Sequence, residues 1–219
     1  MYAQIRLKAL RLADTLFLEY RYLLPTCEDR DLMNKVDTRL LAMGFFFLAI
    51  VLRFMPHPPN FAPVAAMSLF AGCYLSGGAG IVLALGAMAI SDFIGHSLGI
   101  AGMHFYSSAT MLTVYFSIAL TACVGRTLRG RTRYVPLAAI TGTAIFFLLT
   151  NFACWLDPAM GYPRTLAGLG QSYWAAIPFA RNSLLGDLFY SAILFGGYAI
   201  CTQPQLADKL AFRASSKEV

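Results

Sequence analysis

The chain has 219 residues, of which 58% are hydrophobic and only 13% charged, and its mean hydropathy is +0.61. A typical soluble domain is about half apolar and about a quarter charged, so this composition excludes an ordinary soluble domain. The formal net charge of +6 is explained by basic residues that flank membrane spans, and no nucleic-acid partner is expected. We predict an all-α integral membrane protein whose main partner is the lipid bilayer.

Residues 1–39 form a mixed-charge segment with seven basic and six acidic side chains. Asp14 and Glu19 interrupt its apolar residues, so no cleavable signal peptide is predicted. The alternatives are a helix lying along the cytoplasmic membrane surface and a solvated tail with a short helix.

Six apolar stretches predict six transmembrane helices, because about 20 mostly apolar residues are needed to cross about 30 Å of hydrocarbon. The stretches cover residues 40–54, 60–77, 80–99, 103–125, 135–156 and 183–201. Residues 157–182 are predicted to form one long loop. The predicted organisation is therefore a six-helix membrane domain over residues 40–202, followed by a tail over residues 203–219.

The distribution of basic residues predicts the orientation. Seven precede residue 40, four lie between residues 126 and 133, and three lie in the tail. With six spans, all three groups are on one side, which the positive-inside rule assigns to the cytoplasm. We expect a multi-pass protein of the bacterial cytoplasmic membrane with both termini in the cytoplasm.

The first candidate binding segment covers residues 53–63 and contains four prolines. Prolines end a helix and leave backbone carbonyls without partners, which is tolerated at membrane depth only in protein or beside a wet cavity. Arg53, His57 and Asn60 are therefore candidate substrate-binding residues. A rigid surface turn is the alternative.

Asp92 lies inside the third predicted span, with His96 one turn later. A carboxylate in a span is costly and is expected to face the bundle interior and find a partner, either a ligand or another helix. His104 near the same end, and Cys73 in the second span, raise the question of a metal. Their spacing supports no metal site, and neither a metal nor a cofactor is predicted.

A third candidate group surrounds the predicted loop and extends from Phe146 to Asp187, with Phe179 among its aromatic residues. The residues selected from it are Asn151, Trp155, Tyr162 and Arg181. Aromatic faces beside a few polar groups suit an outward-facing pocket for a small molecule that contains a ring. An interfacial aromatic belt explains the same residues.

Small residues recur every four positions at Ser68, Gly72 and Ser76, and at Gly80 and Ala84. This spacing allows helices to approach closely, either within the chain or at a partner subunit.

Seven ordered motifs within residues 40–197 resemble a family of uncharacterised bacterial membrane proteins described as transport proteins. They are Arg53-x-x-Pro-His-Pro-Pro-Asn60-Phe-x-Pro-Val-Ala-Ala66, Leu69-Phe-x-Gly72, Ser91-Asp92-x-x-Gly95, Phe146-Phe147-x-x-Thr-Asn151-x-x-x-Trp155, Tyr162-Pro163, Ala176-x-Pro178-Phe179 and Gly186-Asp187. That family is similar in size and six-helix plan to the substrate-binding S components of energy-coupling-factor (ECF) transporters.

The resemblance implies a protein that captures a small micronutrient, either vitamin-like or metal-containing, while separate ATPases and a coupling subunit supply energy. The chain itself lacks the glycine-rich P-loop pattern that binds nucleotide phosphates. The alanine-spaced docking motif of S components is not evident in the first span, where Ala42 and Ala49 are seven residues apart. A solitary transporter therefore stays open.

No catalytic constellation is found, so the chain is not predicted to be an enzyme. The alternatives to transport are a membrane scaffold or assembly subunit without a ligand, and an intramembrane enzyme.

Overall fold

The computed structural model describes residues 35–56, 58–75, 78–100, 103 and 107–202. The predicted N-terminal segment up to residue 34, the tail over residues 203–219, His57 and His104 lie outside these described residues. Within the described residues the secondary structure is helical throughout and contains no strand. The helices are α1 (Lys35–Arg53), α2 (Val64–Tyr74), α3 (Ala79–Ser97), α4 (Ser108–Thr127), α5 (Val135–Leu156), α6 (Leu166–Ser191) and α7 (Gly197–Thr202), with a π-helical segment (Ala192–Gly196) joining the last two.

Four helical stretches of the described chain are long and apolar enough to cross a membrane. They are Ala79–Ser97, Ser108–Thr127, Thr132–Leu156 and Leu166–Thr202. The prediction of an all-helical multi-pass membrane protein is confirmed at this level. α1 is not among the four, since its 19 residues include Lys35, Asp37, Arg39 and Arg53.

The second predicted span, over residues 60–77, contains a shorter helix than expected. α2 has 11 residues and is therefore about 16 Å long, half the thickness of the hydrocarbon core. Pro58, Pro59 and Pro63 delay its beginning until Val64, and Leu75 leaves the helix with extended backbone angles. Every residue of α2 from Ala66 onward is buried, so this helix is an internal element of the bundle.

The prediction of one long loop over residues 157–182 is wrong. α6 already begins at Leu166, and the Thr165 hydroxyl caps it by accepting a hydrogen bond from the Gly168 N–H at 3.2 Å. The helix continues through Pro178, which removes only one backbone hydrogen bond of a 26-residue helix. The proline and the scattered polar residues hide this helix from a search for uninterrupted apolar runs.

Glycines bring α2 close to its neighbours. A Cβ atom at Gly72 would overlap the Ala122 carbonyl of α4, and one at Gly125 would overlap the Leu69 carbonyl of α2. A Cβ at Gly80 would likewise overlap the Ala71 carbonyl. The predicted close approach at Gly72 and Gly80 is confirmed, and it serves packing within the chain.

Arg129 holds the C-terminal end of α2. Its guanidinium donates to the carbonyl oxygens of Gly72 at 3.1 Å, Cys73 at 3.1 Å and Leu75 at 2.6 Å. These carbonyls belong to the last turn, where intrahelical donors are lacking and the helix dipole is negative. The arginine therefore satisfies a helix end that the bundle buries.

Aromatic rings fill the bundle around the C-terminal half of α2. Tyr74 lies 4.2 Å from Tyr198 and 4.8 Å from Phe70, and Phe70 lies 5.3 Å from Phe195, all between ring centroids. A cavity in the bundle lies at the other end of α2.

Candidate functional site

A cavity of about 620 Å³ lies beside the beginning of α2, between the 54–63 connection and helices α3 to α6. Its volume is in the range of small-molecule binding pockets. Its walls combine apolar side chains with a few polar ones. The lining residues are Arg53, Pro59, Asn60, Ala62, Val64, Ala65, Met88, Asp92, Met103, Met111, Val114, Ile118, Thr121, Thr143, Phe146, Phe179, Ser183 and Asp187.

A buried ion pair joins α1 to α3 at the cavity wall. The guanidinium of Arg53, the last residue of α1, contacts the Asp92 carboxylate, and each residue is only 4% exposed. The same guanidinium donates to the Ser91 hydroxyl. The Tyr115 hydroxyl, from α4, donates to the other Asp92 oxygen at 3.2 Å. Both carboxylate oxygens therefore have donors, and the pair as a whole carries no net charge.

A second buried carboxylate, Asp187 of α6, faces the beginning of α2. It is 4% exposed and accepts a hydrogen bond from the Thr143 hydroxyl of α5 at 2.6 Å. The backbone N–H groups of Ala65 and Ala66, in the first turn of α2, are its further partners. A carboxylate is favourable there because the first amides of a helix lack intrahelical acceptors and carry partial positive charge.

The 54–63 connection is fastened to α6 at the edge of the cavity. The Asn182 side-chain amide donates to the Pro59 carbonyl at 3.0 Å. Gly186 lets α6 approach, since a Cβ atom there would lie 3.1 Å from the Phe61 Cα. Asn60 adopts a left-handed φ of 61°, a conformation that asparagine tolerates better than most residues. Residues 59–62 are thus held against α6 and form one wall of the cavity.

Asp157, between α5 and α6, accepts hydrogen bonds that connect neighbouring segments of the chain near this end of the bundle. Hydrogen bonds from the Ser107 hydroxyl and the Ala159 N–H are the main reasons that its pKa lies below the usual value. Thr110 donates to it at 3.5 Å, and Arg164 adds a favourable charge. Asp157 therefore links the beginning of α4 to the end of α5, away from the cavity lining.

Three of the predicted binding residues come together in the cavity wall. Arg53, Asn60 and Asp92 all line it, although they are separated by up to 39 positions in the sequence. His57 lies outside the described residues. His96 is exposed on α3 and is not a lining residue, although it follows Asp92 by one turn.

The predicted residues around the 157–165 connection lie elsewhere. The Asn151 amide donates to a carbonyl one turn earlier in its own helix at 2.7 Å, and the Trp155 indole N–H donates to the Pro163 carbonyl at 2.8 Å. Tyr162 is half-buried and Arg181 is exposed, and neither lines the cavity. The structure therefore separates these four residues from the Arg53–Asp92 pair, whereas Phe146, Phe179 and Asp187 of the same predicted group line the cavity.

Sequence reasoning placed Asp187 in the polar and aromatic group around the predicted loop without selecting it as a binding residue, and it did not name Thr143 or Tyr115. Asp187 could also have been selected, because it is a carboxylate within the predicted span over residues 183–201, the same pattern that selected Asp92. Thr143 and Tyr115 have ordinary positions in apolar helices, and only the packing of α4 and α5 assigns them partners.

The described residues offer few side chains that could coordinate a metal ion together. No group of three or more His, Cys, Asp or Glu side chains lies together among those residues. Cys73 is buried in the core and is not a lining residue of the cavity.

Comparison with known families matches residues 34–210 to a family of unknown function, DUF6580. The chain belongs to this family. The match covers the described helices and agrees with a resemblance to uncharacterised proteins. No curated protein and no solved structure matches the chain significantly. Since the DUF6580 family carries no assigned activity, function has to be argued from the cavity, and the similarity to S components stays a prediction.

Proposed function

We propose that the protein is a substrate-binding membrane transport protein for a small micronutrient, vitamin-like or metal-containing, which enters from outside the cell. The observation that carries this proposal is the cavity of about 620 Å³ with Arg53, Asp92 and Asp187 in its wall. Space of this size among membrane-crossing helices sacrifices packing contacts. Charged groups in the same region add a further cost. A binding function explains both costs together.

A scaffold without a ligand explains less. It accounts for the Arg53–Asp92 pair, which ties α1 to α3. It gives no reason for an adjacent cavity lined by Met88, Phe146 and Phe179. The cavity therefore favours ligand binding over a purely structural role.

In the proposed arrangement the chain crosses the membrane six times, with α1 and α2 in the first two crossings and both termini in the cytoplasm. The cavity lies at the end of the bundle that contains the 54–63 connection. The opposite end contains the last turn of α4 and its connection to α5, which together have four arginines. The positive-inside rule then orients the cavity outward. This plan is S-component-like, and separate ATPase and coupling subunits would supply energy.

The ligand can be sought by mass spectrometry of small molecules released from gently purified protein. Val114→Trp fills the cavity from α4, whereas Leu112→Trp adds the same side chain at a position that is 72% exposed. We expect one compound from the wild type and from Leu112→Trp, and none from Val114→Trp. Size-exclusion chromatography checks that all three remain folded. Empty wild-type protein, even after exposure to cell extract, would contradict the proposal.

The orientation can be tested by cysteine labelling in a variant without native cysteines. Ala159 and Arg131 are exposed at opposite ends of α5. We expect an impermeant maleimide to label Ala159→Cys on intact cells and Arg131→Cys only after permeabilisation. The reverse pattern would place the cavity on the cytoplasmic side.

A further inference from the structure

The charges in the cavity wall do not cancel. Arg53, Asp92 and Asp187 are the charged residues among those that line it. Arg53 and Asp92 neutralise each other through their ion pair. Asp187 therefore contributes the remaining charge, which is negative when its carboxylate is ionised.

Asp187 is stabilised by hydrogen bonds but not by a basic side chain. Its donors are the Thr143 hydroxyl and the amides of Ala65 and Ala66. No Lys or Arg of the described residues forms an ion pair with it. A helix N-terminus supplies only about half a positive charge, and an ionised carboxylate offers about four acceptor sites. Both charge and acceptor capacity are left for a ligand in the cavity.

We propose that the cavity binds a small organic cation, a protonated amine or a cationic ring, whose positive charge pairs with Asp187. The apolar body of this ligand contacts Met88, Met103 and Phe146, which line the same space. The Phe179 ring in the wall gives a cation a further favourable surface. The inference rests on the proposed function and names the substrate class for that cavity.

An anionic ligand fits these groups less well. It would have to compete with Asp92 for Arg53, the one arginine among the described residues that line the cavity. Displacing Asp92 would leave a buried carboxylate whose remaining donor is the Tyr115 hydroxyl. Breaking a buried pair in this way is strongly unfavourable.

The proposal is tested with three probes that share an indole ring and differ in charge: tryptamine, 3-ethylindole and indole-3-propionate. Binding to the full-length protein in detergent is measured by isothermal titration calorimetry up to about 10 mM, a range that includes weak affinities. We expect tryptamine to bind at least about tenfold more tightly than 3-ethylindole and indole-3-propionate to bind most weakly.

Two variants separate the charge of Asp187 from its shape. Asp187→Asn should abolish the preference for tryptamine while 3-ethylindole still binds. Asp157→Asn, the same change at a buried carboxylate outside the cavity lining, should retain the preference. If Asp187→Asn does not fold, the double variant Asp187→Leu with Thr143→Val replaces it, because it removes the carboxylate together with its hydroxyl donor. The preference for tryptamine must then be lost, and an unchanged preference would overturn the proposal.

The remaining outcomes also decide the question. Equal binding of the three probes, a preference for the anion, or an unchanged preference in folded Asp187→Asn overturns the cation proposal. If no probe binds, the proposal is likewise overturned. A compound released from the wild type in the mass-spectrometry experiment would still support the transport function in any of these cases, so the two failures can be distinguished.

Discussion

The ion pair between Arg53 and Asp92 allows the energetics of the cavity wall to be tested by a double-mutant cycle. Arg53→Met keeps most of the side-chain volume and removes the charge. Asp92 is then left 4% exposed, with the Tyr115 hydroxyl at 3.2 Å as its donor. The variant therefore forces a buried carboxylate either to remain uncompensated or to bind a proton.

Removing one partner of a buried ion pair costs about 3–5 kcal/mol. We expect Arg53→Met and Asp92→Asn to lose about 3 kcal/mol each, at the lower end of this range because the pair borders a cavity that water can enter. Replacing both residues, as Arg53→Met with Asp92→Leu, removes the charges together and should restore most of the loss. Tyr115→Phe should cost about 1 kcal/mol, the worth of one hydrogen bond.

The assay is reversible unfolding in mixed micelles, followed by circular dichroism as the denaturing detergent fraction rises. The coupling free energy is the difference between the double variant and the sum of the singles, so Asp92→Leu is also measured alone. A loss below about 1 kcal/mol for Arg53→Met would match a solvent-exposed pair and refute the reasoning. Additive single losses would refute it as well.

Three further predictions concern the elements that position the cavity. Gly72→Ala should lower the free energy of unfolding by about 1–3 kcal/mol, because its Cβ would overlap a backbone carbonyl of α4. Gly86→Ala, with open space around it, should raise this free energy by up to about 1 kcal/mol in the same assay. Arg129→Ala should cost about 1–3 kcal/mol through the lost bonds to α2, whereas exposed Arg131→Ala should change stability by less than about 0.5 kcal/mol. The pKa of Asp157 is lower in the folded protein than in the unfolded chain, where it is about 4. Its carboxylate therefore stabilises the fold above about pH 4, and this contribution is lost as the pH falls through the folded pKa. The melting temperature of Asp157→Asn should accordingly fall less at acid pH than that of the wild type.

Each of these predictions can fail on its own. Equal effects of the two glycine substitutions would mean that α2 and α4 are not in close contact. Equal effects of the two arginine substitutions would mean that the guanidinium does not hold the end of α2. If the unfolding of Asp157→Asn depends on pH as that of the wild type does, the Asp157 carboxylate does not stabilise the link between α4 and α5.

The sequence predicted the membrane environment, and it drew attention to three residues that the structure places in the cavity wall. The helices α3, α4 and α5 could be recognised from their apolar runs, because the hydropathy of about 20 consecutive residues depends only on those residues and not on the tertiary structure. Arg53, Asn60 and Asp92 could be selected because polar groups and prolines are conspicuous in such runs, and all three line the cavity.

Helix boundaries were less predictable where apolar and polar residues mix. α2 has only 11 residues, fewer than its apolar run over residues 60–77, because the prolines before Val64 delay its beginning and the surrounding helices bury it. α6 begins at Leu166, within the predicted loop, because a capped helix can contain Pro178 and polar side chains when its neighbours provide packing.

By itself the sequence determined that this protein resides in a membrane as helices and that a few charges had to be paired within it. Only the tertiary structure decided which groups pair: Arg53 with Asp92, and Asp187 with Thr143 and the beginning of α2. The physical reason is that the free energy of transfer into lipid is close to a sum over the residues of one segment, so the sequence alone determines it. The shape and charge of a cavity depend instead on how helices that are distant in the sequence pack together.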